Sequence, residues 1–287
     1  MALLAGPLAA CLSGRPDGKV NLAIPLCVGS GLAYAGAGPT WRLMMLALPA
    51  LAAIQVGTSM VQQTKQELRI PASRHIGMLL YVLALMLTWM LCKERGWPMF
   101  ALVLWLSFAF CSIPNWGARM PVYHATDQGT MMLLGLMSNI AVSHLHQDSP
   151  ALDALVLLAG LQVGCVGVAQ MAVCNSCNPR GDDHGPNLMT SSGSYQGSSI
   201  QVAVFVAMSY ALGLLWFTSG FWLAALLPVL SLPFAGLLVS QALRSSLQRS
   251  GPSLLRLSGA FALSFGSLLG LGIAGHSRQQ QLALLLR

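Results

Sequence analysis

Charge is what this 287-residue sequence has least of: eight acidic residues, fifteen Lys and Arg, and 8% charged positions in all. Average soluble domains carry about 25% charged residues. A chain this poor in charge, 55% hydrophobic and with a mean hydropathy of +0.66, cannot bury its apolar surface in one water-facing fold. Other absences narrow the field further. The seven cysteines are scattered through apolar runs, so no disulfide framework is implied, and free thiols there pack as small hydrophobes. The opening MALLAGPLAA has no basic n-region and reads as a tail, although Leu8-Ala9-Ala10-Cys11 imitates a lipoprotein cleavage box. No basic, aromatic-interleaved patch points to nucleic acid, which is excluded as a partner. Cys174 and Cys177 form a C-x-x-C, yet a structural zinc site needs four ligands and only His184 is near. His144 and His146 are two apart and point to different faces of a helix, against haem ligation.

What is present is a series of apolar runs. About 20 apolar residues cross the hydrocarbon as a helix, and nine spans are expected, at 20–38, 43–62, 75–92, 97–113, 129–143, 151–173, 200–218, 221–241 and 253–275. Trp41, Trp97, Trp116 and Trp222 fall near span ends, where indole rings favour the headgroup region. Pro49, Pro228 and Pro233 fall inside spans and should kink them. The small residues Gly29-Ser30-Gly31 and Gly266 to Gly272 should let helices approach closely. The expected fold is therefore all-α and polytopic, with a tail at 1–19, a single helical membrane domain at 20–275 and a second tail at 276–287. With the N-terminus in the cytoplasm, ten of the fifteen basic residues lie inside, the orientation that retained Lys and Arg select. An inner or cytoplasmic membrane is the expected location.

Two polar segments interrupt the apolar pattern, and both then face the cytoplasm. One is Cys174 to Ser199, CNSCNPRGDDHGPNLMTSSGSYQGSS; the other is Ser59 to Arg74, SMVQQTKQELRIPASR. Read alone, Asp182 and Asp183 beside Gly, Pro and Asn are also what a solvated turn contains. Gln62, Gln63 and Gln66 fit the end of a helix at the interface. Lys65, Arg69 and Arg74 suffice as topology signals that meet anionic headgroups, each contributing about 1 kcal/mol near the surface.

Three short segments carry a resemblance. RPDGKVNLAIPLCVGSGLAYA (Arg15 to Ala35), LAAIQVGTSMVQQ (Leu51 to Gln63) and the polar segment from Asn175 resemble the UbiA superfamily of intramembrane polyprenyl transferases, nearest its 1,4-dihydroxy-2-naphthoate branch. The resemblance implies a nine-helix bundle with a lateral lipid cavity. It further implies two acid-rich loops, after helices two and six, that hold magnesium against the diphosphate of a prenyl donor while an aromatic acceptor attacks the allylic cation. Magnesium is held through one or two carboxylates plus substrate phosphates and neutralises the leaving group.

The sequence departs from that pattern where the metal should sit. Gln62, Gln63 and Gln66 occupy the first motif, and Glu67, its one nearby carboxylate, is a residue out of register, a turn of about 100° on a helix. The second motif keeps Asn175, Asp182 and Asp183 but has Asn178 in place of its first aspartate and Pro186 in place of its lysine. A carboxylate and a dication about 4 Å apart attract by roughly 8 kcal/mol at an effective dielectric of ~20, a gross figure before desolvation. Amides cannot replace that. Lys65, Arg69 and Arg180 could hold a diphosphate directly. Two readings follow from the resemblance. In one, the protein is a catalytically degenerate homologue that binds an isoprenoid, quinone or lipid as a structural or regulatory protein beside other membrane subunits. In the other it is an active, magnesium-dependent prenyltransferase of quinone biosynthesis, with Asp182 and Asp183 as catalytic residues and metal ligands, helped by Glu67.

Overall fold

The computed structural model describes residues 28, 43, 45–47, 49–50, 53, 71–96, 123–146, 153–177, 191–245 and 251–285. Among them the fold is all-helical, without a strand. The helices are α1 (Pro71–Arg95), α2 (Tyr123–His146), α3 (Ala154–Cys177), α4 (Ser191–Gly213), α5 (Leu215–Thr218) and α6 (Trp222–Leu226). A 3₁₀ turn (Leu227–Ser231), α7 (Leu232–Ser245) and α8 (Gly251–Leu285) complete the order. Five stretches are long and apolar enough to cross a membrane: His75–Glu94, Ala154–Val173, Ser199–Thr218, Trp222–Arg244 and Ser253–His276. They coincide with five of the nine expected runs, and Met131–His144 is a shorter apolar helix at a sixth. The spans expected at 20–38 and 97–113 fall outside the described residues except for residue 28, and in the span expected at 43–62 residues 43, 45–47, 49–50 and 53 are described and helical.

Two compact units divide the chain, one comprising Met1–Lys19 and Thr40–Tyr123, the other Val20–Pro39 and His124–Arg287. In the first, α1 buries little of itself. Leu79 and Met86 are 67% and 64% exposed, the arrangement expected of a helix whose solvent is lipid.

In the second unit α3 packs along α4, and α8 lies against α3, α6, the 3₁₀ turn and α7. Its core is built around Trp216, Phe261, Phe265, Leu269 and Ile273, all fully buried. Tyr210 meets Phe265 edge-on with ring centroids 5.4 Å apart, a geometry that sets a ring edge against a π face.

Helix contacts are closest where side chains vanish. A Cβ on Gly135 of α2 would overlap the Gly164 nitrogen, one on Gly164 would lie 2.9 Å from Met132 Cα, and one on Gly160 would lie 2.8 Å from Leu136 Cα. Gly160 and Gly164 form a G-x-x-x-G on one face of α3, the spacing that lets membrane helices bring their backbones together. The glycine-rich stretch of α8 acts likewise: a Cβ on Gly272 would lie 2.6 Å from the Leu223 carbonyl oxygen of α6.

The expected proline kinks take two forms. Pro228 sits in the 3₁₀ turn between α6 and α7, because its missing N–H breaks the α-helical ladder. Pro233 is the second residue of α7, where no ladder hydrogen bond is lost. Helix ends also run past the apolar runs. Helix α3 continues from the expected 173 to Cys177, α4 begins at Ser191 instead of 200, and α8 reaches Leu285, so residues 276–285 are helical. Hydropathy marks where hydrocarbon begins, whereas the backbone ladder stops only where its hydrogen bonds do.

Candidate functional site

The polar segment from Cys174 to Ser199 joins the two most closely paired helices of the second unit. Its first residues, through Cys177, are the last turn of α3, and its last nine, Ser191 to Ser199, are the opening turns of α4. The segment is therefore two helix ends joined by residues 178–190. Asn175 lies in the helical part. Asn178, Arg180, Asp182 and Asp183 lie outside the described residues, as do Gln62, Gln63, Lys65, Gln66, Glu67 and Arg69. Among the described residues no three His, Cys, Asp or Glu side chains are grouped to hold a metal ion. Asn175, the one member of the motif in a described helix, is an amide.

Polar side chains pin the helices around this end. Ser199 Oγ donates to the Ala242 carbonyl of α7 at 2.8 Å. Gln170 Nε2 donates to the Ser258 carbonyl of α8 at 3.3 Å. The later part of α3 and the last turn of α7 are thus joined to the third turns of α8 and α4 toward one end of the unit.

Nearer the opposite end, Gln162 is fully buried on α3. Its Nε2 donates to the Ser209 carbonyl at 3.0 Å and its Oε1 accepts from Trp216 Nε1 at 2.6 Å. Beyond it Phe221 bridges Trp216 and His276, with ring centroids 5.8 and 4.8 Å away. Gly220, at φ +81°, makes the tight turn that delivers Phe221, a backbone conformation that favours glycine.

Tyr210 Oη and Ser231 Oγ lie 2.6 Å apart, and Ser231 Oγ also donates to the Pro228 carbonyl at 2.6 Å. Ser231 thereby ties the Tyr210 hydroxyl to the backbone of the 3₁₀ turn. The end of α2 carries four further buried polar residues, Ser138, Asn139, Ser143 and His144. Asn139 Nδ2 donates to the Gly135 carbonyl at 2.9 Å, while Asn139 Oδ1 and Ser143 Oγ have no hydrogen-bond partner among the described residues.

None of Gln162, Gln170, Ser199 or Asn139 is singled out by the loop motifs. Their signal in the sequence is a polar side chain inside or at the edge of an apolar run, which in a membrane helix faces protein because lipid offers it no partner. Outward positions show the inverse pattern: Leu214, Leu230 and Leu271 are exposed.

Long apolar helices, small-residue crossings and inward polar side chains define a polytopic α-helical membrane protein. Compared with protein-family models and with curated proteins, the chain matches none.

Proposed function

We propose that this protein is a UbiA-like membrane bundle that binds an isoprenoid, quinone or lipid without transferring a prenyl group, as a structural or regulatory component beside other membrane subunits. The observation that carries the reading is the donor chemistry of the two polar segments. Gln62, Gln63 and Gln66 stand where the resemblance requires acids, and Asn178 stands at the first acidic position of the second motif. Amide oxygens lack the charge that holds a dication beside a diphosphate. Support for a split second motif comes from the α3–α4 pair, which carries Asn175 in its last α3 turn and leaves residues 178–190 as the connection. The basic-residue distribution favours a cytoplasmic N-terminus, with both polar segments on the cytoplasmic face of an inner or cytoplasmic membrane.

Asp182 and Asp183 favour a second reading, an active transferase moving a prenyl group from a diphosphate donor to an aromatic acceptor, with magnesium on these two acids and Glu67. The test is purification followed by mass spectrometry of bound lipid, together with an assay using magnesium, a polyprenyl diphosphate and a dihydroxynaphthoate acceptor. Enrichment of an isoprenoid or quinone without turnover is expected. Turnover abolished by Asp182→Asn reverses the ranking, and absence of both bound isoprenoid and turnover rejects the kinship. As a companion test, Gln63→Asp with Gln66→Asp should strengthen magnesium-dependent diphosphate binding; unchanged binding means that the two segments never formed a split site.

A further inference from the structure

One end of the second unit gathers positive charge from several sources. The hydrogen bond from Ser199 ties the third turn of α4 to the last turn of α7, the one from Gln170 ties α3 to the third turn of α8, and α7 packs on α8. Arg244 occupies the last turn of α7 and Arg256 the second turn of α8, and both are exposed. Neither α4 nor α8 has an acidic residue in its first turn. Among the described residues no carboxylate pairs with either arginine.

Depth in the membrane decides what such a surface meets. Arg244 is the final residue of the apolar stretch Trp222–Arg244, and Arg256 is the fourth residue of Ser253–His276. Both residues therefore fall within about one turn of the end of an apolar stretch, where long basic side chains extend toward the interface. A guanidinium presents paired N–H donors that match two phosphate oxygens, and the choline of a zwitterionic lipid opposes that contact with its own positive charge.

We infer that Arg244 and Arg256 form a docking surface for the phosphate of an anionic phospholipid, seated between the end of α7 and the start of α8. This surface uses none of the acid-motif residues, so it stands whether or not the chain binds an isoprenoid.

The test is thermal unfolding of the full-length protein in detergent, titrated separately with short-chain phosphatidylglycerol, short-chain phosphatidylcholine and inorganic pyrophosphate. Phosphatidylglycerol should stabilise at a concentration lower by about tenfold or more than phosphatidylcholine, given the contribution of each basic residue at an anionic surface. Arg244→Gln with Arg256→Gln should remove that preference, and the double Lys variant should restore part of it. Equal stabilisation by the two lipids, or a preference that survives the double Gln variant, overturns the inference. Pyrophosphate as effective as phosphatidylglycerol overturns the lipid assignment in favour of a soluble phosphate. Should the double variant not fold, the wild-type preference measured against salt replaces it. Persistence of the preference in high salt then rejects a charge-based surface.

Discussion

Trp216 donates its indole N–H to Gln162 Oε1 at 2.6 Å, and neither residue has any exposed surface. Gln162 simultaneously serves the Ser209 carbonyl, so one side chain ties α3 to two successive helices through both ends of its amide. Gln162→Leu should leave the Trp216 N–H unsatisfied and cost about 1–3 kcal/mol. Trp216→Phe alone should also destabilise. The double variant should be less destabilised than the sum of the two, because the orphaned donor goes with the tryptophan. Denaturant unfolding in detergent measures the cycle, and strict additivity would show that the bond contributes nothing.

Glycines in α3, α7 and α8 should separate sharply by environment. Gly164→Ala places a Cβ 2.9 Å from backbone atoms of Met132, and neither helix can yield without moving its neighbours, so a loss of about 1–3 kcal/mol is expected. At Gly236 and Gly259 nothing lies within 4 Å of an added Cβ. Alanine there should stabilise by about 0.4–1 kcal/mol, since glycine loses more freedom on folding. A thermal-shift comparison of the three variants checks the ranking. Equal effects would mean that the α2–α3 contact is not a tight crossing.

The sequence made the membrane helices readable because apolar length is itself the requirement for crossing hydrocarbon. The break at Pro228 and the close approach at Gly272 were readable for similarly local reasons. Helix ends were not, since Ser191 to Ser199 is polar yet helical and nothing in hydropathy distinguishes such a turn from a loop. The polar pins were equally hidden: Gln162 and Ser209 are 47 residues apart, and only the packing of α3 on α4 joins them. Of the expected site, the structure describes the rims, with Asn175 on one and Ser191 to Ser199 on the other; the acids and amides of the motifs lie outside the described residues.

The hydroxyl pair at the Pro228 break should act as a clasp. Tyr210→Phe removes one hydroxyl of the 2.6 Å pair and leaves Ser231 still donating to the Pro228 carbonyl. The loss should therefore be small, about 0.5–1.5 kcal/mol. Ser231→Ala should cost more, since it strips the partner from both the tyrosine and the carbonyl. Unfolding midpoints that fall in the opposite order would place the main restraint in the aromatic contacts of Tyr210.

Asn139 offers a case where removing a buried polar group should help. Its side-chain N–H serves the Gly135 carbonyl, which also accepts from Ser138 Oγ at 3.0 Å, so the carbonyl keeps a partner without it. Its Oδ1 is buried and has no partner among the described residues, a state that costs about 1–3 kcal/mol. Asn139→Leu retains most of the side chain's shape and deletes that acceptor. Its melting temperature should rise, by an amount equivalent to about 1 kcal/mol once crowding by the added branch is offset. Asn139→Ala deletes the same acceptor but opens a cavity and should fall below the leucine variant. If both variants melt lower than wild type by similar amounts, the asparagine holds α2 through a contact that its single hydrogen bond to Gly135 does not explain.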